Sequence, residues 1–198
     1  MPLWGRNPIT LALIGILPYR RVDRPIFVLG SPRSGTSVFS RIFGAHPELA
    51  NWSEGHFLFD PRYRNQTNEH RWTEKDVTAF GARRLRSNID WYCRYISIRQ
   101  RINAHRFTNK LPRNTLRVPW LLSIFPDAQF IHIIRDGRAV VRSMIRVMES
   151  KEKDRTLADF ARPPGWQEYF RNDPYEAHAR QWAGIEDTVQ ADLEKVPA

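Results

Sequence analysis

Pro25-Ile-Phe-Val-Leu-Gly30-Ser-Pro-Arg33-Ser34-Gly35-Thr36-Ser37 decides how this chain is read. The apolar run Ile26–Leu29 predicts a buried strand. It breaks at Gly30, passes through a small polar loop and restarts at Gly35 as an apolar-periodic helix. In such a strand, loop and helix unit, backbone N–H groups and a helix N-terminus converge on an anion. Gly30 and Gly35 keep the Gly-x-x-x-x-Gly frame of a nucleotide phosphate loop, but Thr36 stands where that frame requires lysine. Arg33 supplies the cation instead. The loop suits a phosphate-like group better than ATP or GTP hydrolysis, although a Gly-rich loop here is also compatible with a plain tight turn.

A second stretch has the same architecture: Ala128-Gln-Phe-Ile-His-Ile-Ile-Arg135-Asp-Gly-Arg-Ala-Val-Val-Arg-Ser143. Phe130–Ile134 reads as a buried strand, Arg135-Asp136-Gly137 as a turn and Ala139–Met148 as a helix. Arg135 then ends a strand, and Ser143 lies about two helical turns beyond it, on the helix. Ligands of parallel α/β sheets bind beyond the carboxyl ends of strands, so both motifs can face one crevice. Taken alone, Arg135 could equally cap a neighbouring helix.

In the same order and on the same kind of junction, these motifs resemble sulfotransferases that use 3′-phosphoadenosine 5′-phosphosulfate (PAPS). The wording is nearest to tyrosylprotein and related bacterial or Golgi-type members. The resemblance covers roughly Pro25 to Gln190. It implies a three-layer α/β fold with a mainly parallel central sheet, Ile26–Leu29 and Phe130–Ile134 being central strands. It implies that Arg33, Ser34, Gly35, Thr36 and Ser37 hold the 5′-phosphosulfate and that Arg135 and Ser143 hold the 3′-phosphate. Residue by residue it also assigns a catalytic base to Glu54, in Asn51-Trp-Ser-Glu-Gly55, and a sulfuryl contact to Lys110, in Thr108-Asn-Lys-Leu-Pro112. Arg33 would act in catalysis as well as binding. His56 is the fallback base and Glu48 a weaker one; Glu54 as a surface carboxylate and Lys110 as a solvated strand end are the plain alternatives. The co-substrate would be PAPS, the product 3′-phosphoadenosine 5′-phosphate (PAP), with no metal. The acceptor would bear a hydroxyl: a protein tyrosine, sugar, lipid or small molecule.

The chain departs from the family at several points. Cytosolic members have Lys at Arg33 and Trp at Val38. Relatives also continue past the last helix through another strand, so residues 25–198 read as a C-terminally incomplete domain behind an extension of residues 1–24. A kinase or NTPase of the P-loop type is disfavoured by Thr36 and by the lack of a Mg²⁺-holding carboxylate after a strand.

Composition narrows the partners. There are 31 Lys and Arg against 21 Asp and Glu, a formal charge of +10 over 198 residues. A basic cleft attracts a polyanionic donor. The arginines are spread along the chain without a nucleic-acid motif, so no nucleic acid is expected, and a non-catalytic anion- or nucleic-acid-binding module is the alternative. Cys93 is the sole cysteine, which precludes an intrachain disulfide; it lies among aromatics and is read as a packed thiol. No histidine pair has metal-ligand spacing. Ile9–Leu17 is too short to span a bilayer, which needs about 20 residues, and a peripheral membrane contact is the alternative to packing on the domain. A cytoplasmic location is expected.

The remaining elements are expected as follows. Ser37–Ala45 forms a helix burying Val38, Ile42 and Ala45, and Glu48–Trp52 is a second strand. A helical region, read as a helix pair, opens at the Thr73-x-x-Asp76 cap and runs to about Asn103. Phe107–Leu111 is a third strand, and Thr115–Phe125 is a helix interrupted by Pro119. A loop or lid occupies Ser150–Pro174, and a last helix, Tyr175–Leu193, carries Trp182, Ile185 and Val189 on one side.

Overall fold

Alternation along the strands decides which helix lies on which side of the sheet. The computed structural model describes residues 22–59, 70–100, 102–150, 161–169 and 173–197. Its four strands are β1 (Ile26–Leu29), β2 (Leu49–Ser53), β3 (Arg106–Lys110) and β4 (Gln129–His132), all parallel, in the order β2-β3-β1-β4. The helices are α1 (Thr36–Gly44), α2 (His56–Phe59), α3 (Ala79–Gln100), α4 (Val118–Ile124), α5 (Gly137–Glu149), α6 (Trp166–Tyr169) and α7 (Pro174–Leu193). On β2, Ala50 and Trp52 point into an aromatic core with Phe27, Phe107, Tyr92 and Phe125, closed by Leu85, Ile89 and Cys93 of α3 and Leu121 and Ile124 of α4. Asn51, one residue out of phase, faces α1. There its amide accepts from Ser40 Oγ at 3.1 Å and Thr108 Oγ1 at 2.7 Å and donates to the Ser40 carbonyl at 2.9 Å.

That polar seam corrects the expected helix face. α1 approaches the sheet through its small residues Thr36 and Ser40, while Val38 and Ile42 stay 65 % exposed. Ala45 lies past the helix end and is exposed too.

β1 is buried along its whole length between β3 and β4. The other expected central strand is not central. β4 stops at His132, is half-buried after an exposed Gln129, and ends the sheet among the described residues; Ile134 is 66 % exposed. Phe130 still stacks on Phe27 at 5.9 Å and packs against the main core.

Other boundaries shift for local reasons. Thr73 and Asp76 do form a reciprocal cap, but on a separate 3₁₀ turn (Glu74–Asp76); α3 is then one continuous helix rather than a pair. Pro119 falls in the first turn of α4, where its missing N–H costs nothing, and residues Pro112–Leu116 before it form a 3₁₀ turn. Cys93 is fully buried in the core. Ile185 and Val189 of α7 are fully buried as expected. Residues 9–17 and 151–160 lie outside the described residues. Among the described residues, no helix is long and apolar enough to cross a membrane, and no His, Cys, Asp or Glu cluster could hold a metal.

Candidate active site

Parallel strands place their carboxyl ends on one edge of the sheet, and the loop from Gly30 to Gly35 leaves β1 at that edge. Gly30 has φ 149° and Gly35 φ 101°, conformations that side chains resist. A Cβ on Gly30 would lie 2.7 Å from the Ile133 carbonyl oxygen and 2.9 Å from Ser34 Oγ, whereas one on Gly35 would meet nothing within 4 Å. The loop is thus tight beneath and open above. The turn is closed by Ser34 N–H donating to the Ser31 carbonyl at 3.1 Å. Among the described residues, no side chain takes the first N–H groups of α1, which Gly35 caps, and the buried Ser34 Oγ has no hydrogen-bond partner. Uncapped N–H groups, an orphaned hydroxyl and an open face fit an anion. Thr36 is buried against Gly30, and Ser37 is exposed on the first turn of α1.

Arg33, Arg135 and Ser143 come together although more than a hundred residues separate the first from the other two. Arg135 Nη1 donates to the Arg33 carbonyl at 3.0 Å, and Arg33 Nε donates to Ser143 Oγ at 3.1 Å. Arg33 holds φ 70°, a left-handed conformation that costs a non-glycine residue about 1–3 kcal/mol. The Arg135 hydrogen bond fixes that turned-out carbonyl. Both arginines remain exposed, so two guanidinium groups and a hydroxyl border the open side of the loop.

The second group stands two strands away. Ser53 pairs with Lys110 across β2 and β3, and Lys110 with Val28 across β3 and β1, so Glu54, Lys110 and the loop share one edge. Glu54 N–H donates to the Lys110 carbonyl at 2.7 Å, one step beyond the ladder, and Glu54 takes φ 56°. This turn brings its carboxylate against the Lys110 ammonium. Lys110 is buried, with a side chain 3 % exposed against 53 % for Glu54. His56 opens α2, its N–H donating to the Glu54 carbonyl at 2.7 Å. Burial, then the Arg113 guanidinium, lower its pKa to about 4, so its imidazole is neutral at neutral pH. Glu48 is exposed on the turn before β2, away from this edge.

A family model described as the sulfotransferase family matches residues 25–197, which takes in the loop, the arginine pair and the Glu54–Lys110 pair. The chain is a sulfotransferase-family protein.

Sulfotransferase relatives agree in kind. Protein-tyrosine sulfotransferase A of Caenorhabditis elegans is 30% identical over 132 residues, covering 64% of this chain and 34% of its own length. Human protein-tyrosine sulfotransferase 1 is 32% identical over 132 residues, covering 62% of this chain and 34% of itself. The chain therefore spans about a third of these relatives. Among solved structures, a sulfotransferase domain from the curacin biosynthetic pathway superposes with a TM-score of 0.53 at 19% identity, over 90% of this chain and 65% of that one. That likeness extends to the fold.

Two supports of this sulfotransferase loop escaped the sequence reading. Thr115, from the 3₁₀ turn after Lys110, is fully buried; its Oγ1 accepts from Gly30 N–H at 3.0 Å and donates to the Gly30 carbonyl at 3.1 Å. Glu186 of α7 accepts from Ser31 Oγ at 2.5 Å and meets His132 Nε2 at 2.8 Å. The one available signal was an acid directly after Ile185 on a helix face otherwise turned inward.

Proposed function

We propose that the chain carries both the donor site and the catalytic groups of an enzyme that moves a sulfuryl group from PAPS to an acceptor hydroxyl. The observation that carries this reading is the meeting of Arg33, Arg135 and Ser143 at the open side of the phosphate loop. One nucleotide end needs a cradle of N–H groups and a cation for its 5′-phosphosulfate; the other needs a second cation and hydroxyl for a 3′-phosphate. A simple P-loop nucleotide has no use for the latter.

In the reaction, the acceptor oxygen forms a bond to sulfur as the bond from sulfur to the 5′-phosphate oxygen breaks. The acceptor proton leaves, and the phosphate departs on PAP with its charge. Glu54 takes the proton. Lys110 leaves the carboxylate to stabilise the sulfuryl oxygens, and Arg33 with the N–H groups of Gly35, Thr36 and Ser37 stabilises the departing phosphate. Positioning and charge supply most of the acceleration, as in phosphoryl transfer.

The named relatives act on protein tyrosine, which makes a phenol the first acceptor to examine, ahead of sugar, lipid and small-molecule hydroxyls. Incubation with PAPS and a tyrosine-containing peptide, followed by mass spectrometry, should show the peptide gaining one SO₃ unit. Transfer to none of the four acceptor classes, in a preparation that binds PAP, would overturn the catalytic reading while leaving donor binding intact. Failure to bind PAP would overturn both.

A further inference from the structure

Glu186 sits where a helix that packs by apolar contact would gain more from an apolar residue. It is 8 % exposed, next to fully buried Ile185 and one turn from fully buried Val189. Burying a carboxylate costs several kcal/mol, and the ion pairs or hydrogen bonds it makes often only offset that cost. Its two oxygens are both spent. One accepts from Ser31 Oγ at 2.5 Å; the other meets His132 Nε2 at 2.8 Å. His132 is the last residue of β4 and pairs in register with Leu29, the last residue of β1. Ser31 is the second residue beyond Leu29 and fully buried. Glu186 therefore ties the start of the phosphate loop to the neighbouring strand end through a side chain from a helix 155 positions away.

The Ser31 residue so held is also the one that shapes the loop. Its carbonyl accepts from Ser34 N–H at 3.1 Å, and Ser34 leads into the uncapped start of α1. With its hydrogen committed to Glu186, the Ser31 hydroxyl has none to give an anion. Its contribution is to hold the Ser31–Ser34 turn in the form that aims the later N–H groups outward.

We propose that Glu186 is a positioning residue for donor binding, acting through Ser31 to keep the phosphate loop in its anion-receiving form. The proposal rests on the donor reading above. Without the link, the loop must be ordered when the nucleotide arrives, and that ordering is subtracted from affinity.

The experiment measures PAP affinity by titration calorimetry for wild type, Glu186→Gln, Glu186→Met, Ser31→Ala and the double variant Ser31→Ala/Glu186→Met. Wild-type binding tests the donor reading by itself; ratios to wild type test Glu186. Methionine keeps the packing and loses the hydrogen bonds, so it should weaken PAP roughly tenfold, as should Ser31→Ala. Glutamine keeps an acceptor for Ser31 and should stay within about threefold. The double variant should be no weaker than either parent, because both remove one link. PAP bound as in wild type, or more tightly, by Glu186→Met or Ser31→Ala would overturn the proposal, the latter pointing to plain charge repulsion. So would losses that multiply in the double variant. Should Glu186→Met not fold, Ser31→Ala, a small change at a buried hydroxyl, carries the test against Glu186→Gln.

Discussion

Lys110 and Glu54 meet across the ends of adjacent strands, the ammonium almost wholly buried and the carboxylate half exposed. The asymmetry has chemical content. Glu54 reaches solvent, while Lys110 is held beneath the surface at the strand edge from which the Gly30–Gly35 loop also leaves. In the proposed reaction this contact holds base and electrophile together until a substrate separates them.

Glu54→Gln keeps the size of the side chain and removes its capacity to take a proton. Turnover should fall by about 10²–10⁴ while PAP affinity changes within a few-fold. Steady-state rates with PAPS and a tyrosine peptide, paired with PAP titration, check this. Near-normal turnover would move the base elsewhere, with His56, neutral at neutral pH, the next residue to change.

Stability should respond to the same pair in the opposite sense for its two members. Lys110→Met replaces a buried ammonium with an apolar chain of similar length and should leave the thermal midpoint unchanged or raised. Glu54→Leu strands the buried ammonium. The carboxylate's exposure screens the pair, so the loss should be about 1–2 kcal/mol, below the cost of breaking a fully buried pair. Equal midpoints for both variants would show that the contact contributes nothing.

How much of this was legible in the sequence depended on range. The loop and the β4–α5 junction could be read because each is local: an apolar run, a glycine break and a helix start within a dozen residues. Arg135 and Ser143 sit on one such unit, so their separation was readable too. The place of β4 at the sheet's end among the described residues was not legible, because a short apolar run reads the same with one strand neighbour or two. Val38 and Ile42 misled for a related reason. Their spacing is right for a buried face, but the contact actually made, through Ser40 and Asn51, is polar and depends on β2. Thr115 and Glu186 act over 85 and 155 positions, and nothing in their immediate neighbours marks a partner that far away.

Acid should destabilise the fold through two histidines. Burial, then Arg113, lower the pKa of His56 to about 4, and burial with Arg113 and Arg117 lowers that of His70 to about 2. In the unfolded chain both take protons near 6.5. Between those values the unfolded state binds more protons, so stability is full above about pH 6.5 and falls as pH drops, down to about 4 for His56 and about 2 for His70. Urea midpoints at about pH 7.5 and about pH 5 should show the fall. His70 Nδ1 accepts from Arg162 N–H at 3.0 Å, a bond asparagine can replace, so His70→Asn should flatten the slope. A wild-type midpoint that does not move over this range would contradict the assignment.

The central claim is that Arg33, Arg135 and Ser143 form a site for a nucleotide phosphorylated at both ends. Titration of PAP against AMP, in wild type and in Arg135→Ala, tests it most directly. A charge-assisted hydrogen bond contributes about 1.5–3 kcal/mol, so PAP should bind at least roughly tenfold more tightly than AMP, and Arg135→Ala should erase most of that difference by costing PAP more than AMP. Equal affinity for the two nucleotides in wild type, or a preference for PAP that survives Arg135→Ala, would contradict the account.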